Sequence, residues 1–278
     1  MRMKQFIWMA AAAAALVSCS PKIGYQVYEV RSHDLTQEKN AMVFENEDCK
    51  VSYNLWGNGG SMAFIFENKT DRDIFIDMTQ SFFIKNGAAF DYYADRTYEA
   101  RSYAGISAGY SVSGYARLYD YFSGVYRVPA VLSLKESAGL SRAVTVREPE
   151  YVCVPAKSHK IISVYEIAPS RIITCDKQKD YPNRTSVVNT YSEDNTPLRL
   201  NNRIAYSFEE SNKSLKHIDN TFWVSSVQNF RDKWIFEEKK ENVGCYTDVK
   251  KKVKYFKVGG PNLFYITYGW KSVIGFSE

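Results

Sequence analysis

One serine in this 278-residue chain stands in a pattern that could do nucleophilic chemistry. Ser107 lies at the centre of the run Gly105 to Gly109, which matches G-x-S-x-G, the nucleophile elbow. That chemistry needs a sharp turn from a buried strand into a helix, with backbone N–H groups nearby to stabilise an oxyanion. Residues 99–104 do not have the pattern of a buried strand, and the residues that follow are rich in tyrosine, serine and glycine. We therefore expect no catalytic residue here and no enzymatic activity.

The same segment is dense in tyrosine. Residues 92–126 hold nine of the 21 tyrosines of the chain, interleaved with glycine and serine. Tyrosine offers large amphipathic contact area at a small entropic cost, and glycine and serine offer adaptable hydrogen bonds, so the composition is typical of a binding loop. The alternative is a long loop packed over a sheet edge with the rings buried and the hydroxyls in water. The candidate binding residues are Tyr103, Tyr110, Tyr115, Tyr119 and Tyr121.

A second candidate surface is a cluster of lysines near the C-terminal end. These lysines could contact anionic lipid headgroups or an acidic polysaccharide. The interpretation we favour is an edge strand that its lysines protect from pairing with other strands, with Glu237, Glu238 and Glu241 close enough to neutralise them. The cluster consists of Lys250, Lys251, Lys252, Lys254 and Lys257.

Metal and cofactor sites have little support in the sequence. The chain has only 3 histidines. The acidic runs at residues 45–48 and 71–73 lack the alternating ligands, the glycine and the terminal glutamate of an EF-hand loop. We predict no metal site and no cofactor.

The N-terminal residues predict export. Arg2 and Lys4 precede an apolar run over residues 6–17, which is shorter than the ~20 residues that span a bilayer. This is the pattern of a secretory signal, here residues 1–18. The ending Leu-Val-Ser-Cys at residues 16–19 resembles the bacterial lipobox. The resemblance implies a lipid on Cys19 that anchors the chain without spanning the membrane, with residues 19–40 as a tether.

The location follows from the residues after Cys19. Surface-exported lipoproteins of the Bacteroides group carry an acidic cluster there, and residues 20–24 contain none. We expect an outer-membrane lipoprotein that faces the periplasm. Loss of Arg2 and Lys4 with the signal would leave 34 basic against 31 acidic side chains, from 36 and 31 in the full chain. That balance is too mild to predict a nucleic-acid partner.

Four cysteines remain after Cys19. An oxidising compartment permits up to two disulfides among them in three connectivities, and the alternative is buried free thiols. The absence of a C-x-x-C spacing excludes a thioredoxin motif and a zinc ribbon. The four are Cys49, Cys153, Cys175 and Cys245.

The pattern that positions these residues is that of β-strands. Residues 50–56 alternate with period two, which puts Val51, Tyr53 and Leu55 on one face. Asn86-Gly87 lies between two apolar runs and is a strong hairpin signal. Strands follow one another through short turns without helices of 10 to 15 residues between them, so folds built of βαβ units are excluded. We predict an all-β chain.

The predicted architecture is an immunoglobulin-like sandwich over residues 41–170 and a second β-rich portion over residues 171–278. The two portions could share one core, since the polar connection 176–202 is the only sign of a boundary. Together with the lipobox, the turn at 66–70 and the segment 202–206 resemble uncharacterised Bacteroides-type lipoproteins. The resemblance implies a location and a β architecture but no active site.

We therefore expect a lipid-anchored envelope module that binds a protein partner through its loops and sheet edge. The alternative is a lipoprotein that binds glycans through the tyrosine-rich loop.

Overall fold

The computed structural model describes residues 22–94, 97–103, 141–147, 149–173, 182, 186–210, 214–242 and 250–270. These residues form seventeen strands and one helical turn. In chain order they are β1 (Lys22–Arg31), β2 (Thr36–Gln37), β3 (Met42–Glu45), β4 (Cys49–Tyr53), β5 (Phe64–Asn68), β6 (Ile74–Lys85), β7 (Ala88–Asp91), β8 (Thr97–Tyr103), β9 (Ser141–Arg147), β10 (Tyr151–Val154), β11 (His159–Ile162), β12 (Val188–Thr190), β13 (Arg199–Ser207), β14 (Lys216–Arg231), α1 (Asp232–Ile235), β15 (Phe236–Asn242), β16 (Lys250–Phe256) and β17 (Leu263–Trp270).

Two antiparallel sheets make up the body. The large sheet has the order β10-β6-β13-β14-β1-β17, with β7 also paired to β6 and β12 also paired to β14. The small sheet has the order β11-β5-β4-β3-β2. Two further antiparallel ribbons are formed by β8 with β9 and by β15 with β16. The predicted all-β class is confirmed, while the immunoglobulin-like order of strands stays a prediction.

One apolar core lies between the two sheets. Its side chains come from as early as Tyr28 and as late as Ile266, so the chain on both sides of residue 170 contributes to the same core. The period-two prediction is confirmed in β4, where Val51 and Tyr53 are buried and Lys50 and Ser52 are partly exposed. Alternation of this kind is what a strand shows when one of its faces covers a core.

A second apolar cluster covers the opposite face of the large sheet. We call it the aromatic cluster; its fully buried members are Val27, Trp56, Ile235, Phe256 and Tyr265. The ring of Trp56 meets that of Phe256 edge-to-face at 4.9 Å between centroids. Both faces of β1 and β17 are therefore covered, one by the core and one by the aromatic cluster.

The strongest turn signal of the sequence is confirmed. Asn86 and Gly87 join β6 to β7 with φ angles of 48° and 85°. Two successive positive φ values match the twist of the flanking strands, and asparagine and glycine adopt them at low cost.

The tether expected over residues 19–40 differs from the structure from Lys22 onward. Residues 22–31 form β1, which pairs with β14 on one side and β17 on the other. Tyr25 packs on the aromatic cluster, whereas Tyr28 and Val30 lie in the core. A strand that is buried on both faces shows no clean alternation of polar and apolar residues, so period two did not reveal it.

No helix among the described residues is long and apolar enough to cross a membrane.

Candidate functional site

The structure places one of the predicted binding tyrosines. Tyr103 is the last residue of β8 and is paired with Ser141, the first residue of β9. The residues on either side of 104–140, which include most of the tyrosine-rich segment, are thus held side by side by a ribbon. The remaining predicted residues lie outside the described residues, as does Ser107; they are Tyr110, Tyr115, Tyr119, Tyr121 and the lipidation site Cys19.

The clearest candidate in the described residues is one edge of the large sheet. β7 and β10 both pair with β6, on the side that β13 leaves open. β10 pairs with residues 74–77 and β7 with residues 82–85, so the two short strands lie in line along one edge. We call it the β7–β10 edge.

A bulge in β6 separates the two strands of this edge. The pairing with β13 steps from Phe82 opposite Arg203 to Asp77 opposite Ala205, which leaves the intervening residues of β6 without a paired residue on β13, although the Ser81 hydroxyl oxygen accepts from the Ala205 N–H at 3.0 Å. The buried Asp77 carboxylate accepts hydrogen bonds from the Thr79 N–H at 2.9 Å and from the Thr79 hydroxyl at 2.6 Å. The bulge is therefore held by its own side chains, as bulges that redirect a sheet edge commonly are.

The backbone of β10 turns hydrogen-bonding groups outward. The Met78 N–H donates to the Glu150 carbonyl at 2.8 Å, so Glu150 faces β6. Because consecutive residues of a strand face opposite sides, the N–H and C=O groups of Tyr151 and Cys153 point away from β6. No described strand pairs with that outer side of β10. Within the described part of the chain, these groups are open to pairing with another strand.

The side chains of this edge suit a protein partner. β10 has the sequence Tyr-Val-Cys-Val, with no charged residue, and its first three side chains are partly exposed. All four residues of β7 are exposed, and Phe90 keeps 40% of its surface in solvent. Exposed edges in natural proteins are usually protected by charge, and β10 has none of that protection.

The opposite edge of the large sheet is closed. The loop at residues 57–59 runs along β17: the Tyr265 N–H donates to the Gly57 carbonyl at 3.1 Å, and the Gly59 N–H donates to the Tyr265 carbonyl at 2.8 Å. The Asn58 side-chain oxygen accepts from the Thr267 N–H at 2.9 Å. The outward N–H and C=O of Tyr265 and the outward N–H of Thr267, which an edge strand would otherwise expose, are satisfied within the chain.

A chain of hydrogen bonds crosses the core. The Tyr92 hydroxyl donates to Asn202 Oδ1 at 2.7 Å, Asn202 Nδ2 donates to the Tyr53 hydroxyl at 2.9 Å, and that hydroxyl donates to Asn220 Oδ1 at 2.8 Å. Burial raises the pKa of the Tyr53 phenol far above its usual range. All four side chains are buried, so this network positions the two sheets and offers no access to a substrate.

A polar cluster lies where β4 begins. Asp48 Oδ2 accepts from the Tyr206 hydroxyl at 2.8 Å and from Lys216 Nζ at 2.5 Å. Burial opposes the charged form of Asp48, but the hydrogen bonds from Lys216 and Tyr206 outweigh it and hold the pKa of the carboxyl below its usual value. The neighbouring Cys49 is buried, and burial raises the pKa of its thiol to about 12. A thiol with that pKa is not a nucleophile at neutral pH.

Two of the four candidate disulfide cysteines are described, and both are free thiols. Cys49 is buried and Cys153 is partly exposed on β10. Cys175 and Cys245 lie outside the described residues. None of the three two-disulfide connectivities is formed, because each of them needs Cys49 and Cys153 in a bridge.

An open depression of about 340 Å³ lies beside the β6–β7 turn. Its lining residues are polar: Asn86, Gly87, Glu193, Asp194, Thr196 and Arg199. Arg199 is held by a hydrogen bond of 2.6 Å from Nη2 to the Glu193 carbonyl. Within the described ranges, no group of three or more His, Cys, Asp or Glu side chains could hold a metal ion.

Comparison with known proteins adds no relative. No protein family, no curated protein and no solved structure matches the chain.

Proposed function

We propose that the protein is a non-enzymatic, lipid-anchored module of the cell envelope that binds an envelope protein. Cys19 would hold it on the periplasmic face of the outer membrane. The β7–β10 edge would bind the partner by adding a strand to the large sheet. The observation that carries the proposal is the difference between this open edge, whose β10 strand has no charged residue, and the closed edge at β17.

Strand addition suits the geometry of β10. A peptide that adds to a sheet gains affinity from main-chain hydrogen bonds and specificity from pockets for alternate side chains. Tyr151 and Cys153 present the main-chain groups, and Phe90 at the neighbouring β7 adds an exposed aromatic surface of the kind enriched at interfaces. The strand is short, so a partner would need contacts beyond it.

The β8–β9 ribbon supports a second contact. It precedes β10 directly in the chain. It pairs Tyr103 with Ser141, the residues on either side of 104–140, which include most of the tyrosine-rich segment. That segment is our sequence-based candidate for protein contact and, in the alternative, for a glycan.

The test is in-cell crosslinking and affinity purification of the full chain. Cys153→Pro removes the outward N–H of β10 and leaves the ladder with β6 intact, whereas Cys153→Ala keeps that N–H and removes only the thiol. We expect a stoichiometric envelope protein with the native chain and with Cys153→Ala, and its loss with Cys153→Pro. Equal recovery with both variants would overturn the strand-addition mechanism.

The anchor and the loop need separate tests. Metabolic labelling with a radioactive fatty acid should label the native chain and not Cys19→Ala; an unlabelled native chain would contradict the anchor. Deletion of residues 104–140 should weaken partner recovery if the segment contributes. Calorimetric titration with envelope polysaccharides should give no heat; heat that the same deletion abolishes would favour the glycan alternative.

A further inference from the structure

One end of the large sheet lies close to the expected anchor. β1 begins at Lys22, three residues after Cys19. Lys22 is paired with Trp270 at the end of β17, and Gly24 with Arg231 at the end of β14. An extended chain spans at most ~3.5 Å per residue, so Lys22 lies within about 10 Å of Cys19. We call this region the anchor end.

Exposed apolar side chains lie at the anchor end and beside the middle of β1. Six large apolar residues are exposed among the described residues; two lie at the anchor end, and three more lie closer to the middle of β1. Ile23 is in β1 itself, and Trp234 follows the end of β14 in α1 with 45% of its surface exposed. The other three are Ile173, Val187 and Val188.

Hydrogen bonds and strand pairs fix the positions of these three. The Ile172 N–H donates to the Gln26 side chain at 3.0 Å, which places Ile173 beside the first half of β1. Val188 is paired with Gln228 of β14, and Gln228 is paired with Val27 of β1. The sixth residue, Phe90, belongs to the β7–β10 edge instead. Ile23 and Trp234 therefore supply the exposed apolar surface of the anchor end.

The β15–β16 ribbon also starts from this end. Its base packs on the aromatic cluster, where the Phe236 ring meets Tyr25 edge-to-face at 5.0 Å between centroids. Tyr25 is six residues after Cys19, so Tyr25, which the base of the ribbon contacts, lies within about 21 Å of the anchor. The ribbon extends six residues beyond Phe236 and Phe256 in each strand, which is about 20 Å.

The two faces of the ribbon differ in charge. Residues opposite each other in an antiparallel pair share a face, and successive residues alternate between faces. One face carries four lysines and one glutamate: Lys240, Lys250, Lys252, Lys254 and Glu238. The other face carries two lysines and two glutamates: Lys239, Lys251, Glu237 and Glu241. We call them the lysine face and the balanced face.

The contacts between charged side chains also differ between the lysine face and the balanced face. On the balanced face Lys239 contacts Glu237 at 2.7 Å, and the Tyr255 hydroxyl donates to Glu241. On the lysine face Lys240 stands directly opposite Lys252, and Glu238 contacts Lys252 at 3.3 Å. Like charges directly opposite each other destabilise a strand pair. Protection of an edge strand requires charge but not its segregation onto one face, so the lysine face needs another explanation.

We propose that the lysine face and the exposed apolar residues of the anchor end dock on the anionic headgroup layer of the membrane that holds Cys19. This inference rests on the lipid anchor of the proposed function. Lysines within a Debye length of an anionic surface are attracted to it, and tryptophan is favoured at the boundary between headgroups and acyl chains. The docked ribbon holds the body of the protein on the membrane, with the anchor end of the large sheet facing the membrane.

The test measures binding to vesicles without the anchor. The chain from Ser20 to Glu278 contains every described strand and both apolar clusters, and it lacks Cys19. We expect it to sediment with vesicles of mixed phosphatidylglycerol and phosphatidylcholine, to stay in solution with phosphatidylcholine alone, and to be released by high salt. Each lysine near an anionic surface contributes roughly fivefold to binding.

Matched variants separate the two faces. Lys250→Gln with Lys254→Gln removes two charges from the lysine face, and Lys239→Gln with Lys251→Gln removes two from the balanced face. We expect the first pair to weaken vesicle binding about twenty-five-fold and the second to weaken it less than threefold. Trp234→Ser should weaken binding further without changing its salt dependence. Equal losses from the two pairs, or no binding by the native chain, would overturn the proposal.

The remaining outcomes separate this proposal from the anchor. A chain whose Cys19 carries lipid in cells, but whose lysine face does not bind vesicles, would contradict only the docking inference. Vesicle binding through the lysine face, together with a full chain that carries no lipid on Cys19 in cells, would contradict the anchor and with it the orientation proposed here. Binding to an acidic polysaccharide but not to vesicles would assign the lysine face to a different ligand and overturn the proposal.

Discussion

The β17 edge and the β7–β10 edge belong to the same sheet but expose different amounts of backbone. Along β17 the loop at residues 57–59 accepts and donates the main-chain hydrogen bonds, and Trp56 anchors that loop in the aromatic cluster. Along β10 the groups of Tyr151 and Cys153 face outward. The residues that the structure describes thus close the β17 edge and leave the β7–β10 edge open. That difference favours recognition over incomplete protection at the open edge.

Replacement of Trp56 should do most to open the β17 edge and so make the two edges alike. Trp56→Ala empties the centre of the aromatic cluster and releases the loop from β17, and we expect the free energy of unfolding to fall by about 4 kcal/mol. Trp234→Ala, which truncates an exposed ring of the same type, should change it by about 0.5 kcal/mol or less. Denaturant unfolding measures both. Similar values for the two variants would contradict the role assigned to the cluster.

Gly60 permits the loop to turn back from the closed edge. Its φ is 73°, and a Cβ atom there would lie 2.9 Å from Ile167 Cδ1 and 2.9 Å from the buried Phe264 ring. Strained backbone and forced repacking together should make Gly60→Ala cost about 3 kcal/mol in the free energy of unfolding. Gly57 is the control, since nothing lies within 4 Å of its added Cβ. Thermal unfolding of both variants should show the loss at Gly60 alone.

Asn58 closes the far part of the β17 edge. Asn58→Ala removes the acceptor for the Thr267 N–H and should lower the free energy of unfolding by about 1 kcal/mol. Asn58→Asp keeps an accepting oxygen and should recover most of that loss. We also expect Asn58→Ala to self-associate more than the native chain in sedimentation velocity. If Asn58→Ala stays monomeric and is as stable as the native chain, the loop closes the β17 edge without this side chain.

The smallest effect on stability is expected at the open edge. Cys153→Pro removes an N–H that faces away from the sheet, so the free energy of unfolding should change by less than about 1 kcal/mol. Val152→Pro removes an N–H that faces β6 and should cost about 3 kcal/mol or more. Denaturant unfolding of the two variants tests the orientation of β10. A larger loss for Cys153→Pro than for Val152→Pro would reverse that orientation.

Sequence patterns predicted the parts of the fold that local rules determine. The alternation in β4 and the turn at Asn86-Gly87 follow from side-chain periodicity and backbone preference over a few residues. β1 was missed because its partners begin at residue 216 and because both of its faces are buried. Whether residues 22–31 form a buried strand depends on the distant elements that cover both of its faces, and a local sequence pattern does not contain that information.

For the two candidate surfaces as well, local spacing could be predicted from the sequence, whereas long-range strand pairing could not. The spacing of Lys250, Lys252 and Lys254 at every second residue was visible in the sequence and already placed them on one face of a strand. The register with β15, which adds Lys240 to that face and moves Glu237 and Glu241 to the other, was not. The outer side of β10 is open because no described strand pairs with it, and only the order of strands in the sheet reveals this.

The position of β1 in the sheet also constrains how the molecule reaches its folded state. The first strand to be synthesised lies between β14 and β17, so it has no sheet partner until residues 216–270 have been made. Contacts between such distant parts of a chain carry a large loop-closure entropy and make folding slow. The ten residues of β1 therefore stay without their strand partners until the C-terminal strands are present, and the large sheet completes only when nearly the whole chain is available.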